Sequence, residues 1–201
     1  MNRTVILTSL LGSRICHDLI SPLGAIGNGV ELLSMSGVVA GPEISLIAES
    51  VTNANARIRF YRIAFGAAAW GQSLARPEII DILGALAKDG RQTILWQVEG
   101  TVERPLVKLA FLCLQCLESA LPWGGRITVS ERDGAWLLSA DSTKFRDLDG
   151  LWSVFDDPHR IHDLAPADLH FALAPIWAGD IGLQLKRSES KAGLSLAFSP
   201  A

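Results

Sequence analysis

Residues 15–33 read ICHDLISPLGAIGNGVELL, and the spacing of their apolar side chains decides how the first half of the chain folds. Ile15, Leu19, Pro22, Ile26, Val30 and Leu33 recur every three or four positions, which draws one stripe along a helix. Residues 34–42 carry Ser, Gly and Pro and read as a turn. A second helix follows from about Glu43, with Ile44, Ile47, Val51, Ala54, Ile58, Tyr61 and Phe65 on a similar stripe. Two long helices joined by a short loop make an antiparallel helical hairpin over residues 1–73. A lone hairpin cannot bury both of its apolar faces. Pairing with a second copy into a four-helix bundle solves that problem, so a homodimer is expected.

After residues 72–76 the pattern changes. A helix near 77–88 precedes a strand near 93–98. A strongly apolar helix at about 105–121 then ends before Pro122, Gly124 and Gly125. Strands at 126–131 and 135–140 are joined by a turn at Arg132, Asp133 and Gly134. Another helix is expected over 166–177, although Pro175 should stop or bend it. The chain closes on a hairpin, 182–188 with 193–199. The fold class is therefore α+β: a helical hairpin, then residues 74–201 as a sheet with helices on one face.

Composition narrows the partners. Hydrophobic residues make up 49% and charged ones 19%, which describes a globular chain rather than a disordered one. A formal net charge of −3 leaves no electrostatic footprint for nucleic acid. Three cysteines cannot all pair, and Cys113 and Cys116 lie in an apolar run, so a reducing cytoplasm is the simpler setting. Residues 1–11 hold Arg3 and a short apolar stretch, but no small-residue cleavage site follows. Arg14, His17 and Asp18 arrive too soon for a membrane span. The stretch reads as the first turns of a buried helix, with no membrane partner.

The chemistry centres on His17. Ser21 stands one turn later on the same helix face, and Gly24 and Asn28 continue that face with small or polar side chains. A histidine on so low and open a surface can be approached closely by a partner. Pro22 lacks an N–H, leaves the Asp18 carbonyl without its helical bond and should bend the helix there. The string His17, Asp18, Ser21, Pro22, Leu23 and Ile26 resembles the phosphoacceptor box of dimeric histidine kinases.

The second half resembles the same superfamily, with departures. The register set by Pro122, Gly124 and Gly125 puts Cys116 where an active kinase has its magnesium-holding Asn. Asp141 is followed by Ser142, Thr143, Lys144 and Phe145, with no glycine-rich adenine loop, and no later glycine-rich lid is found. A phosphohistidine box joined to a degenerate histidine-kinase ATPase-like α/β sandwich without a nucleotide site resembles the ChpT-type histidine phosphotransferases.

That resemblance implies that His17 takes a phosphoryl group from the receiver domain of a hybrid histidine kinase and passes it to response regulators. It also implies no cofactor of its own, with Mg²⁺ brought by the receiver. Asp18 points roughly 100° away from His17 around the helix, which fits orienting the partner or the imidazole better than acting as a base. Ser21 is a hydrogen-bond candidate for the phosphoryl group or a water. Arg14 either neutralises phosphoryl charge or is an ordinary solvated arginine; Gly24 and Asn28 are candidates for the docking face, and Arg57, Arg59 and Arg62 include solvated residues. Two rival functions stand beside this one: an ATP-using kinase with a degenerate pocket, and a non-catalytic scaffold or inhibitor of a histidine kinase.

Other signals carry less. Cys113 and Cys116 lack the second pair that a zinc site needs, and read as buried small hydrophobes. His159, His162 and His170 among Asp156, Asp157, Asp163 and Asp168 match no compact ligand motif and read as loop residues around a helix start. Trp123, Trp136, Trp152 and Trp177 are expected to pack the second half.

Overall fold

The computed structural model of the chain describes residues 3–35, 42–86, 92–158, 160, 164–190 and 193–200. Two helices lead, α1 at Arg3–Met35 and α2 at Pro42–Ala64. The turn expected over 34–42 falls largely outside the described residues, as does the side-chain burial of residues 3–11. A Cβ added at Gly12 would touch Phe65, just past the end of α2, and one added at Gly27 would touch Val51 within it. Positions rising along α1 thus meet positions falling along α2, so the two helices pack in opposite senses. The Ser13 hydroxyl accepts the Ala67 N–H at 2.9 Å and ties α1 to the chain leaving α2.

The remainder is α+β. Strand β1 (Ser73–Ala75) pairs antiparallel with β3 (Thr101–Glu103) as a small separate sheet. Helix α3 (Arg76–Leu86) and strand β2 (Gln92–Trp96) lie between them in sequence. Helix α4 (Arg104–Ala120) follows, then β4 (Gly125–Arg132) and β5 (Ala135–Asp141). Helix α5 (Asp149–Asp156), a short 3₁₀ turn at Pro166–Asp168, helix α6 (His170–Asp180) and the strands β6 (Leu183–Ser190) and β7 (Gly193–Pro200) complete the chain. The larger sheet is mixed, in the order β2-β4-β5-β7-β6, with β2 parallel to β4 and the other neighbours antiparallel.

The sheet alternates as a half-covered sheet must. Ile127, Val129, Trp136, Leu138, Leu196 and Phe198 point to the helices and are buried, whereas Arg126 and Leu137 face outward. The β4–β5 turn takes positive φ at Asp133 (53°) and Gly134 (80°), the two-residue geometry that suits the twist of a hairpin.

Helix α4 is the centre of the core. It lies against α2, α6 and the sheet, and almost every side chain on it is buried. Phe60 of α2 stacks on Phe111 of α4 with ring centroids 4.6 Å apart, so the core continues from the helical pair into the α+β part. Two cations of α4 close the end of α2, where helix carbonyls lack intrahelical partners. Lys108 Nζ donates to the Gly66 carbonyl at 2.7 Å and lies 4.4 Å from the centre of the Trp177 ring. Arg104 donates to the carbonyls of Ala67 and Arg62. Burial, with Arg104 nearby, pushes the Lys108 ammonium down to about 8.

Two expectations need correction. Of the two outcomes expected at Pro175, a stop does not occur, and α6 runs on to Asp180. The missing bond costs about 3 kcal/mol, while burial of Phe171, Ala174, Trp177 and Ala178 against α4 and the sheet outweighs it. Of the four tryptophans, Trp136, Trp152 and Trp177 are buried, but Trp123 is exposed beneath Lys144, whose Nζ lies 4.2 Å from the ring centre. Within one chain, Val30 of the first-half stripe is buried, while Ile15, Leu19, Ile26 and Leu33 are each about half exposed.

Candidate functional site

Helix α1 carries His17 on an exposed position, with Ser21 and Asn28 also exposed and Gly24 half-exposed. At 100° per residue, Ile15, Leu19, Ile26 and Leu33 fall within about 40° of one another and roughly opposite His17. Cys16 and Val30 turn toward α2 and are buried. The imidazole therefore points away both from the second helix and from the uncovered apolar stripe. A Cβ at Gly24 would meet nothing within 4 Å, so no side chain rises above the surface one turn beyond Ser21. Interpolating between the Gly12 and Gly27 contacts puts His17 level with about Phe60, where α2 enters the common core.

The structure thus brings His17, Ser21, Gly24 and Asn28 onto one accessible face. The side chains of Arg14 and Asp18 lie outside the described residues, although both positions fall on α1. On α2, Arg57 and Arg62 are exposed, and Arg59 forms an ion pair with Asp81 at 2.7 Å. Arg62 also lowers the Cys16 thiol, although burial is the larger effect and raises it.

The cysteines of α4 are inert. Cys113 and Cys116 are fully buried and burial holds both thiols protonated, with the Cys116 Sγ donating to the His170 carbonyl at 3.7 Å. Cys116 therefore lies inside the core rather than on a surface. His159, His162 and Asp163 lie outside the described residues, and among the described residues no group of His, Cys, Asp and Glu could hold a metal ion. Nor is any helix among them long and apolar enough to cross a membrane.

Sequence reasoning missed a second polar site. An open cleft of about 490 Å³ lies between α2, α4 and the 3₁₀ turn before α6. Gln115, Glu118 and Ser119 reach it from α4, and His170 from α6. Burial raises the Glu118 carboxyl to about 7, against a smaller lowering by Arg57. Burial lowers His170 to about 4, with Asp168 acting in the opposite direction. The one available signal was an acid inside the otherwise apolar run of 112–121.

The structure supplies an accessible histidine on a helix beside an α+β layer, and sequence comparison gives the family. Residues 76–193 match the histidine phosphotransferase C-terminal domain. Over 146 residues the chain is 38% identical to protein phosphotransferase ChpT of Brucella abortus (strain 2308), which covers 70% of this chain and 69% of that protein. The chain belongs to the histidine phosphotransferase family. A solved structure of a bacterial phosphotransferase has the same fold at a TM-score of 0.67, with 22% identity over 99% of this chain and 98% of that one.

Proposed function

We propose that His17 carries the phosphoryl group in the reaction this chain performs as a phosphorelay histidine phosphotransferase. The observation that carries the assignment is the placement of His17: exposed on α1, opposite the apolar stripe, with Ser21 and the open surface at Gly24 beside it. A receiver domain of a hybrid histidine kinase presents an aspartyl phosphate to that face. The lone pair of a neutral imidazole nitrogen attacks phosphorus in line, the bond from phosphorus to the carboxylate oxygen breaks, and the aspartate leaves as carboxylate. The phosphohistidine then gives the group to the aspartate of a response regulator by the reverse step.

Such transfers pass through a loose transition state, so positioning and charge neutralisation dominate. The receiver brings Mg²⁺, and this chain contributes no cofactor. In this reading Ser21 hydrogen-bonds the phosphoryl oxygens, Asp18 orients the imidazole or the partner, and Arg14, Gly24 and Asn28 seat the receiver. Residues 1–73 form the transfer and dimerisation unit, a hairpin completed to a four-helix bundle by a second copy. The half-exposed Ile15, Leu19, Ile26 and Leu33 support that dimer, because an apolar strip of this length calls for cover. Residues 74–201 form the degenerate ATPase-like unit, without a nucleotide site, and the protein works in the cytoplasm.

The test is a relay assay. Incubated with a phosphorylated receiver, the wild-type chain should take up label and His17→Ala should take up none while keeping its fold and dimer. Labelled ATP with Mg²⁺ should leave both unlabelled. Uptake by His17→Ala removes His17 as the acceptor.

A further inference from the structure

The cleft beside α4 has the size of a small-molecule site and an unusual wall. Its roughly 490 Å³ fall within the range of about 300–1,000 Å³ typical of ligand pockets. One side is aromatic: the Tyr61 and Phe65 rings lie 5.6 Å apart at 49° and both face the cleft. The other side carries a carboxylate. Glu118 is half-buried there, and no described residue donates to its carboxyl group. Gln115 lines the same side, with its Oε1 buried out of reach of solvent.

The neighbouring pair adds no positive charge. Ser119 gives its one proton to the Gln115 carbonyl at 2.9 Å, so the His170 Nε2 at 3.1 Å is the donor in their contact. Burial of the ring disfavours its charged form, against a smaller opposing effect of Asp168. A half-buried carboxylate with no donor on it favours a ligand that brings donors and charge. Such a ligand would add to the positive charge of Arg57, which already acts on Glu118, and would lay a flat apolar surface on the two rings.

We propose that this cleft is a binding site for a small organic cation, one with a planar, hydrogen-bond-donating head on an aromatic or apolar body. The head would pair with the two oxygens of the Glu118 carboxylate, in the bidentate manner open to amidinium and guanidinium groups. The body would rest on Tyr61 and Phe65, with cation–π attraction adding to the contact. The site is independent of the role assigned to His17.

Benzamidine and its neutral counterpart benzamide are the probes, titrated into the full chain and followed by NMR. Benzamidine should shift resonances of the cleft with a Kd on the order of 1 mM or tighter, and benzamide should bind about tenfold more weakly or worse. Glu118→Gln should abolish that preference. Tyr61 on α2 and His170 on α6 also line the site, Arg57 on α2 acts on Glu118, and Asp168 on the 3₁₀ turn acts on His170. Burial places the Glu118 titration at about 7 and that of His170 at about 4. Benzamidine affinity should accordingly fall several-fold from pH 8 to pH 6. Equal affinity for the two probes, no shift at the cleft, or unchanged preference in Glu118→Gln overturns the proposal. Should that variant not fold, Tyr61→Ala decides: the proposal requires it to weaken benzamidine at least several-fold, and unchanged binding contradicts it.

Discussion

His17 is exposed and Glu118 is half-buried, and each position follows from its helix. His17 is on the outer face of a two-helix layer, whereas Glu118 is on a helix wrapped by three neighbours. The folded state holds the Glu118 proton to about pH 7, while an unfolded carboxyl releases it near 4.5. A raised carboxyl contributes stability that is present below the unfolded value and lost as pH rises through the folded one. Glu118→Gln should therefore change little at pH 4 and raise stability at pH 8 by on the order of 2 kcal/mol. Paired thermal melts at the two pH values measure it; an equal effect at both would mean that ionisation of Glu118 is irrelevant to the fold. The His17 string was legible because its residue types fall at fixed helical spacings. The cleft was not, since Glu118 and His170 are 52 positions apart and meet only once α6 packs on α4.

Among the elements, the joint between α2 and α4 holds the two parts of the chain together. Lys108→Met removes a donor from the buried Gly66 carbonyl and should cost about 1–3 kcal/mol, read by urea denaturation at pH 7. Lys108→Arg should recover part of the loss, because a donor remains; no loss in the methionine variant would show that the cap is not stabilising. Helix α4 was readable in advance: Pro105 opens it, Pro122 follows it, and an apolar run of that length fits a buried helix. Strands β1 and β3 were not, because three residues are too few to show an alternation of two. The eight-residue helix α5 also passed unseen, lying among the polar residues of a stretch that reads as loop. The Asp133–Gly134 turn was recognisable because that dipeptide tolerates positive φ at both positions.

For the whole molecule, the proposed dimer and relay rest on one surface arrangement. In the proposed dimer the apolar stripe of α1 would face a second copy, leaving His17 on the opposite side for a receiver. Leu19→Glu together with Ile26→Glu places charges within that stripe and should convert the dimer to monomer, as measured by sedimentation equilibrium. Retention of the dimer would mean that another surface joins the copies. The most direct measurement locates the phosphoryl group itself. The chain is phosphorylated by a phosphorylated receiver, digested at alkaline pH and mapped by mass spectrometry. The account predicts an acid-labile phosphoryl group on the peptide containing His17 and no label on any other peptide. Label on a different histidine, or a hydroxylamine-sensitive acyl phosphate in place of phosphohistidine, would contradict it.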